Sequence, residues 1–210
     1  PQHLLSFGLN AWQMKANPDS RSATPPTFAF SPSKPFHNGK LRAAGLYVQD
    51  DMQFGALKVL AGLRYDSVRG QADAMNNGRV RNGLKRSDSA VSGSLGAIYE
   101  VSPLLRPYAS VARGFRAPDM RERYQSGPRS SGYYWAGNPQ ISPEKATQFE
   151  LGLKGSDSRL DYGLALWRSR ISNYITGVQL TGPSAIAACG QANAAACKRN
   201  VNLGHATLTG

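Results

Sequence analysis

Eight stretches of the chain alternate apolar and polar residues with a period of two, and the connections between them are short and long by turns. The stretches are residues 3–14, 41–52, 56–67, 89–101, 105–115 and 146–154, one from about 159 that can continue past Arg170 through Ile171 and Ile175, and one from about 200 to the end. Short connections fall at 53–55, 102–103 and 155–158, long ones at 15–40, 68–88, 116–145 and about 177–199. A period of two is the signature of a strand with unlike faces. Compact domains rarely hold several structureless loops longer than about 12–15 residues. Tight turns at one end and long loops at the other are the rule for outer-membrane barrels, with the turns periplasmic and the loops extracellular. The expected fold is therefore all-β, an antiparallel transmembrane β-barrel, and the first strand runs outward.

The faces agree with this. In the third stretch Leu57, Val59, Ala61, Leu63 and Tyr65 stand opposite Lys58, Gly62 and Arg64; in the first, Leu5, Phe7, Leu9 and Ala11 share a side. The polar faces carry Lys58, Arg64, Gln148 and Glu150, groups that are costly in a dry core but cheap beside a wet or plugged lumen. A soluble β-sandwich is the competing fold, but its strands usually run only about 5–6 residues. No stretch approaches the roughly 20 continuous apolar residues of a spanning helix. Tyr65, Tyr99 and Tyr108, near strand ends, are expected in an interfacial aromatic girdle.

The net charge is +12, and nucleic acid is the first partner such a balance suggests. The basic residues are scattered through the loops (Arg69, Arg79, Arg81, Lys85, Arg86, Arg121, Arg123, Arg129) with no basic helix or nucleic-acid module. The expectation is no nucleic acid, and loops that meet the anionic lipid and lipopolysaccharide of an outer leaflet. Cys189 and Cys197 lie close together in a polar, Gly- and Ala-rich stretch. A loop-closing disulfide is the usual reading in an exported protein; a soft-metal thiolate site is the sharper one. The chain opens on Pro1-Gln2-His3 with no leader pattern and stops at Leu208-Thr209-Gly210 within a strand pattern, so a piece of a longer wall is expected.

Beyond periodicity, the residues resemble a known family. Ser110-Val111-Ala112-Arg113-Gly114-Phe115-Arg116-Ala117-Pro118, then Glu122-Arg123-Tyr124, is similar to the SxxxGFRAP…ELY segment of TonB-dependent outer-membrane receptors. Asn138-Pro139-Gln140-Ile141-Ser142-Pro143-Glu144-Lys145 resembles their NPNLxPEKS segment, and Phe149-Glu150-Leu151-Gly152 the strand after it. Tyr47-Val48-Gln49-Asp50 and Asn200-Val201-Asn202 with Gly204 match in family order. The resemblance implies a fragment of about eight strands, residues 1–210, of a barrel of about 22, closed in the full-length protein by its own plug domain and energised by the TonB complex. This chain holds no plug domain. The implied role is uptake of a metal ion or metal chelate, copper or an iron siderophore chelate, with no covalently bound cofactor. Haem receptors carry a histidine between the two boxes; none occurs between Tyr124 and Asn138. The Arg116–Tyr124 segment with Gly132-Tyr133-Tyr134, and the loop with the two cysteines, look more like the copper-receptor branch.

Candidate substrate contacts are Arg116, Met120, Tyr133, Tyr134 and Trp135; candidate metal ligands are Met14, His37 and Met120, since thioether and imidazole suit copper. Each has a plainer reading. A rim methionine is usually packing, the aromatic triplet suits a girdle as well as a vestibule, and Arg113 and Arg116 are expected to pin the loop through Glu122 or Glu150. Paired carboxylates, a nucleophile with its base and a phosphate loop are missing from the sequence, which leaves no case for an enzyme. Two other classes stay open: a small closed eight-stranded barrel acting as adhesin, anchor or passive pore, and a soluble basic β-domain. Against the first, the inward faces are too rich in glycine to fill a small barrel.

Overall fold

The computed structural model describes residues 2–24, 26–76, 78–129 and 132–210. Eight long strands build the wall: β1 (Gln2–Ala16), β2 (Gly39–Phe54), β3 (Leu57–Gln71), β4 (Lys85–Tyr99), β5 (Arg106–Arg116), β6 (Glu144–Ser156), β7 (Asp161–Gln179) and β8 (Cys197–Thr209). Each pairs antiparallel with the next in chain order. Local period and local hairpins are enough to fix such a ladder, because a one-residue slip would turn every apolar side chain to the wrong face.

The register carries the faces across the wall. Phe7 pairs with Val48 and Val48 with Leu63; Leu9 pairs with Leu46, Leu46 with Tyr65, and Tyr65 with Val91. Farther along, Val111 pairs with Phe149, and Leu151 with Leu166. These side chains are bare: Phe7 is 78% exposed and Leu166 75%. Contiguous apolar surface of this kind marks contact with lipid or a partner, and the apolar sides do not meet in a dry interior as a sandwich requires. No helix among the described residues is long and apolar enough to cross a membrane. The strands do so: about 9–11 tilted residues suffice, so strands such as the 15-residue β1 and 19-residue β7 stand well clear of the bilayer.

The other face is polar and set by close packing. The Arg64 guanidinium donates to both Asp66 carboxylate oxygens, at 2.6 and 2.7 Å, and to Asn10 Oδ1 at 2.7 Å. Gly45 lies beneath this cluster, and a Cβ there would enter it. Tyr108 donates to Glu150 Oε1 at 2.8 Å, its ring lying on Gly152, the residue paired with it. Tyr108 is thus an inward residue and not a girdle one, as its parity with Ser110 dictates. Tyr65 and Tyr99 do face outward, 48% and 51% exposed.

The sheet is open. Among the described residues β1 has no partner on its far side, while β8 takes the loop segment Tyr134–Ala136 as a short parallel neighbour. A closed eight-stranded barrel is therefore not the arrangement of this chain. The short connections are hairpins as expected, the first a two-residue loop at Gly55 and Ala56 between paired Phe54 and Leu57; Gly55 takes a φ of 59°, which costs glycine little. The long connections are more ordered than a loop reading suggests. They hold paired segments Ser20–Thr24 with Ala29–Ser33 and Phe36–His37 with Ala74–Met75, a short helix α1 (Met120–Tyr124), and a second helix α2 (Gly182–Cys189) followed by a 3-10 turn at Gln191–Ala196.

Candidate functional site

The hydrophobic core lies at the extracellular end, where the long connections pack on one another and on the inner wall. Phe36, Leu41, Val68, Ala72, Met75, Leu84, Met120 and Tyr124 form one buried cluster drawn from three connections and two strands. The connection after β5 turns inward to join it. Asp119 caps α1, accepting from the Glu122 N–H at 2.7 Å, while the Glu122 carboxylate accepts from the Asp119 N–H at 2.9 Å. This reciprocal capping box satisfies two otherwise orphaned donors, and it was readable in Asp119-Met120-Arg121-Glu122.

α1 delivers Arg123 and Tyr124 to the wall. Arg123, 1% exposed, donates to Asp88 on the inner face of β4, and Arg86 lies 3.5 Å from the same carboxylate. Tyr124 is wholly buried beside Gly70, and burial pushes its phenol above the ordinary tyrosine range. Arg116 at the top of β5 makes a two-pronged contact with Glu122, at 2.9 and 3.0 Å, and bonds Glu144 at 2.8 Å. The expected partner Glu122 is therefore present; Glu150 belongs to Tyr108 instead, and Arg113 faces the outer side in register with Gly93 and Thr147. The Asp88–Arg123 pair escaped the sequence, since nothing local links residues 35 apart.

Met14 and Met120 line one cavity of about 620 Å³, together with Pro35, Phe36, Leu41 and Gln125. Met120 is 6% exposed and Met14 52%, so one thioether is fixed in the core and the other is open to the lumen. His37 is not on that cavity's wall; it sits one residue along from Phe36, paired with Ala74. No group of three or more His, Cys, Asp or Glu side chains suited to a metal occurs among the described residues.

The aromatic triplet is divided. Tyr134 donates to Asn76 Oδ1 at 2.7 Å, and burial raises its phenol. Trp135 lies on Gly177 with the Arg129 guanidinium 4.2 Å over its ring, and Tyr133 meets the Lys198 ammonium at 3.6 Å. All three are half-buried: Tyr134 ties its loop to the connection between β3 and β4, while Trp135 and Tyr133 pack on the upper ends of β7 and β8, away from the lipid-facing girdle. Ser130 and Ser131 in the same stretch lie outside the described residues.

Cys189 and Cys197 are bonded to each other, so no free thiolate pair is present there for a metal. With Ala136 and Ala185 they form a second small core under α2. Replacing both by serine is expected to loosen the α2 loop by about 2–3 kcal/mol, the closure entropy of so short a loop. Trypsin cleavage at Lys198 and Arg199 in the intact receptor, before and after reduction, checks this; cleavage rates that do not change would refute it.

The TonB-dependent receptor-like β-barrel family model matches residues 2–210. A hemin receptor of Yersinia pestis is 27% identical over 194 residues, covering 83% of this chain and 26% of that protein. The hemoglobin-haptoglobin utilization protein B of Neisseria meningitidis serogroup C is 29% identical over 122 residues, 55% of this chain and 15% of that protein. Among solved structures, the copper transporter OprC superposes with a TM-score of 0.73 at 18% identity, over 99% of this chain and 31% of that one. The FrpB iron transporter of Neisseria meningitidis gives 0.63 at 18% identity, over 100% and 30%. The chain thus spans about a quarter of the length of the curated hemin receptors it matches. On the family match and the wall geometry together, the chain belongs to the TonB-dependent receptors of the Gram-negative outer membrane, as part of their β-barrel.

Proposed function

We propose that this stretch of wall, with the extracellular layer folded over it, belongs to a receptor that takes up a metal ion or metal chelate, with its own plug domain in the lumen and the TonB complex supplying energy. The observation that carries the proposal is the inward fold of the connection after β5: it places Met120 and Met14 on one lumen-side cavity, where a cargo arriving from outside first meets the barrel. The finer reading is copper. Two thioethers on one cavity suit a soft cuprous ion better than a hard ferric one, and OprC, similar in fold, is a copper transporter by name. Haem is the second reading, favoured because the sequence relatives are hemin receptors by name. In this reading Arg116 positions α1, and the aromatic ties hold the loops around the cavity mouth.

The test is binding of cuprous ion, hemin and a ferric siderophore chelate by the full-length receptor. Copper is expected to bind, and Met120→Leu, which keeps the volume but removes the sulfur, is expected to weaken it about tenfold with hemin binding unchanged. Tight hemin binding without copper binding would establish the second reading; binding of none of the three would refute metal uptake.

A further inference from the structure

An asparagine followed by glycine is chemically special, because glycine has no side chain to obstruct its own backbone nitrogen from approaching the asparagine side-chain carbonyl. The chain holds three such pairs, at 38–39, 77–78 and 82–83; Asn77 lies outside the described residues. The fold treats the other two in opposite ways. Asn38 stands just before β2 and is tied on both sides of its Cα. Its N–H donates to Asn17 Oδ1 at 3.3 Å and its side-chain amide to Asp73 Oδ2 at 2.8 Å, while Gly39 is buried and paired with Ala16. To meet the Gly39 nitrogen, the Asn38 side chain must leave Asp73.

Asn82-Gly83 lies between two fixed points of the connection from β3 to β4. On one side Val80 exchanges backbone hydrogen bonds with Met75, at 2.9 and 3.2 Å. On the other, Leu84, 3% exposed in the core cluster, accepts from the Ala72 N–H at 3.2 Å. The span between them is untied. Asn82 and Gly83 are both exposed, and among the described residues neither the Asn82 side chain nor the Gly83 N–H makes a hydrogen bond. The Gly83 carbonyl takes only a long bond, 3.5 Å, from Gln140 Nε2. Gly83 has a φ of 71°, a conformation that keeps glycine at this position. Charge acts in the same direction. Residues 74–87 include Arg79, Arg81, Lys85 and Arg86 and no acid. A backbone nitrogen that attacks must first lose its proton, and the carbonyl oxygen becomes an anion as the bond forms; neighbouring cations favour both. Beside Asn38 the Asp73 carboxylate opposes them.

We propose that Asn82-Gly83 is a site of spontaneous covalent modification that loosens the extracellular core as the molecule ages. The deprotonated Gly83 nitrogen bonds to Asn82 Cγ, the bond from Cγ to the side-chain nitrogen breaks, and ammonia leaves with the proton. The product is a five-membered cyclic imide. Water then opens it at either carbonyl, giving aspartate or isoaspartate, with no oxidant and no cofactor. Both products replace a neutral amide by a carboxylate. Isoaspartate also routes the main chain through the side-chain carbons, which lengthens it by one atom two residues before Leu84. That extra atom pulls the Leu84 carbonyl off the Ala72 N–H. Neither the cargo nor the orientation of the barrel enters into this chemistry.

The test incubates the full-length receptor in detergent, near neutral and at alkaline pH, and follows both sites by peptide mass mapping, with enzymatic methylation to mark isoaspartate. Synthetic peptides of residues 79–86 and 35–42 give the rates without a fold, and the two are expected to convert at similar rates. In the receptor Asn82 should keep pace with its peptide and speed up as pH rises. Asn38 should lag its peptide on the order of 100-fold, the usual cost of losing the geometry of attack. Hydrogen exchange at the Ala72 amide reads the effect on the core. It should be faster in the aged receptor than in the fresh one. Asn82→Gln, which closes a larger ring far more slowly, should keep Ala72 protected on ageing. Freshly prepared Asn82→Asp, with the charge but an ordinary backbone, should keep it protected too. If Asn82 lags its peptide as far as Asn38 does, the site is wrong. Unchanged exchange at Ala72 in the isoaspartyl form, or equal acceleration in Asn82→Asp, would overturn the link to the core.

Discussion

Asp88→Ala is expected to free the extracellular layer from the wall at a cost of about 3–5 kcal/mol. The reason lies in what the substitution leaves behind. Arg123 is 1% exposed, and Asp88 is the carboxylate it donates to. Removing that carboxylate leaves a buried guanidinium, packed near Tyr124 and Gly70, without its counter-charge. The mirror change, Arg123→Met, should cost less, because Asp88 keeps Arg86 within 3.5 Å and a thioether chain fills most of the vacated space. Asp88→Ala combined with Arg123→Met should recover much of the loss, as paired removal of a buried ion pair commonly does.

The loss is local, so it should be read locally. Arg121, exposed within α1, and Arg129, half-buried against Trp135, are trypsin sites in the connection that the pair anchors. Cleavage there should be slow in the unmodified receptor, fast in Asp88→Ala, intermediate in Arg123→Met and slow again in the double variant. Hydrogen exchange over residues 117–129 should follow the same order while the strands β2 to β4 stay protected. If Asp88→Ala is cut no faster than the unmodified protein, the anchoring role of the pair is wrong.

The contrast between wall and anchor explains what the sequence makes legible. Each wall strand announces itself within a dozen residues, because the lipid on one side and the lumen on the other enforce a strict alternation. Leu57, Val59, Ala61, Leu63 and Tyr65 cannot be read as anything but one face. Tyr108 shows the limit of quick inspection: its nearness to a strand end suggests a girdle, but parity with Ser110 and opposition to Gly152 send it inward to Glu150. The cavity is legible in part. Met14 and Met120 stand out as soft groups at strand ends, while the fold that brings them to one hollow depends on Phe36, Tyr124 and the Asp88–Arg123 pair. Those contacts join connections far apart in the chain and leave no local period. The outward cations at the upper ends of the strands, Lys15 beside Lys40 and Arg42 beside Arg69, were hidden for the same reason. Net charge gives a sum, and only the register shows that Arg42 and Arg69 are neighbours on one face while Arg64 lies on the other.

The same register fixes the other large effect. Leu63→Arg, placing a charge in the middle of the apolar band, should cost about 2–4 kcal/mol of barrel stability in lipid vesicles, while Ser94→Arg should cost less than about 1. The two positions lie on neighbouring strands near one depth: Leu63 pairs with Gly93, and Ser94 with Gly62. They occupy opposite faces of the wall, and the residues they carry, Leu and Ser, follow from that. On the outer face Leu63 is 56% exposed between Val48 and Gly93, with hydrocarbon as its solvent. A guanidinium there must drag water or head groups toward the bilayer centre or stretch to the interface. On the inner face Ser94 looks into the same wet channel that already holds the ion pair of Arg64 and Asp66, and a further cation there keeps its hydration. Because backbone setting, added charge and depth are matched, the change in net charge cancels in the comparison. Unfolding of the full-length receptor in urea, followed by loss of the compact heat-sensitive band on a gel, gives both costs. Equal costs, or a larger one for Ser94→Arg, would mean that the apolar side of this wall does not face lipid, and the outward orientation of every loop and cation described here would fall with it.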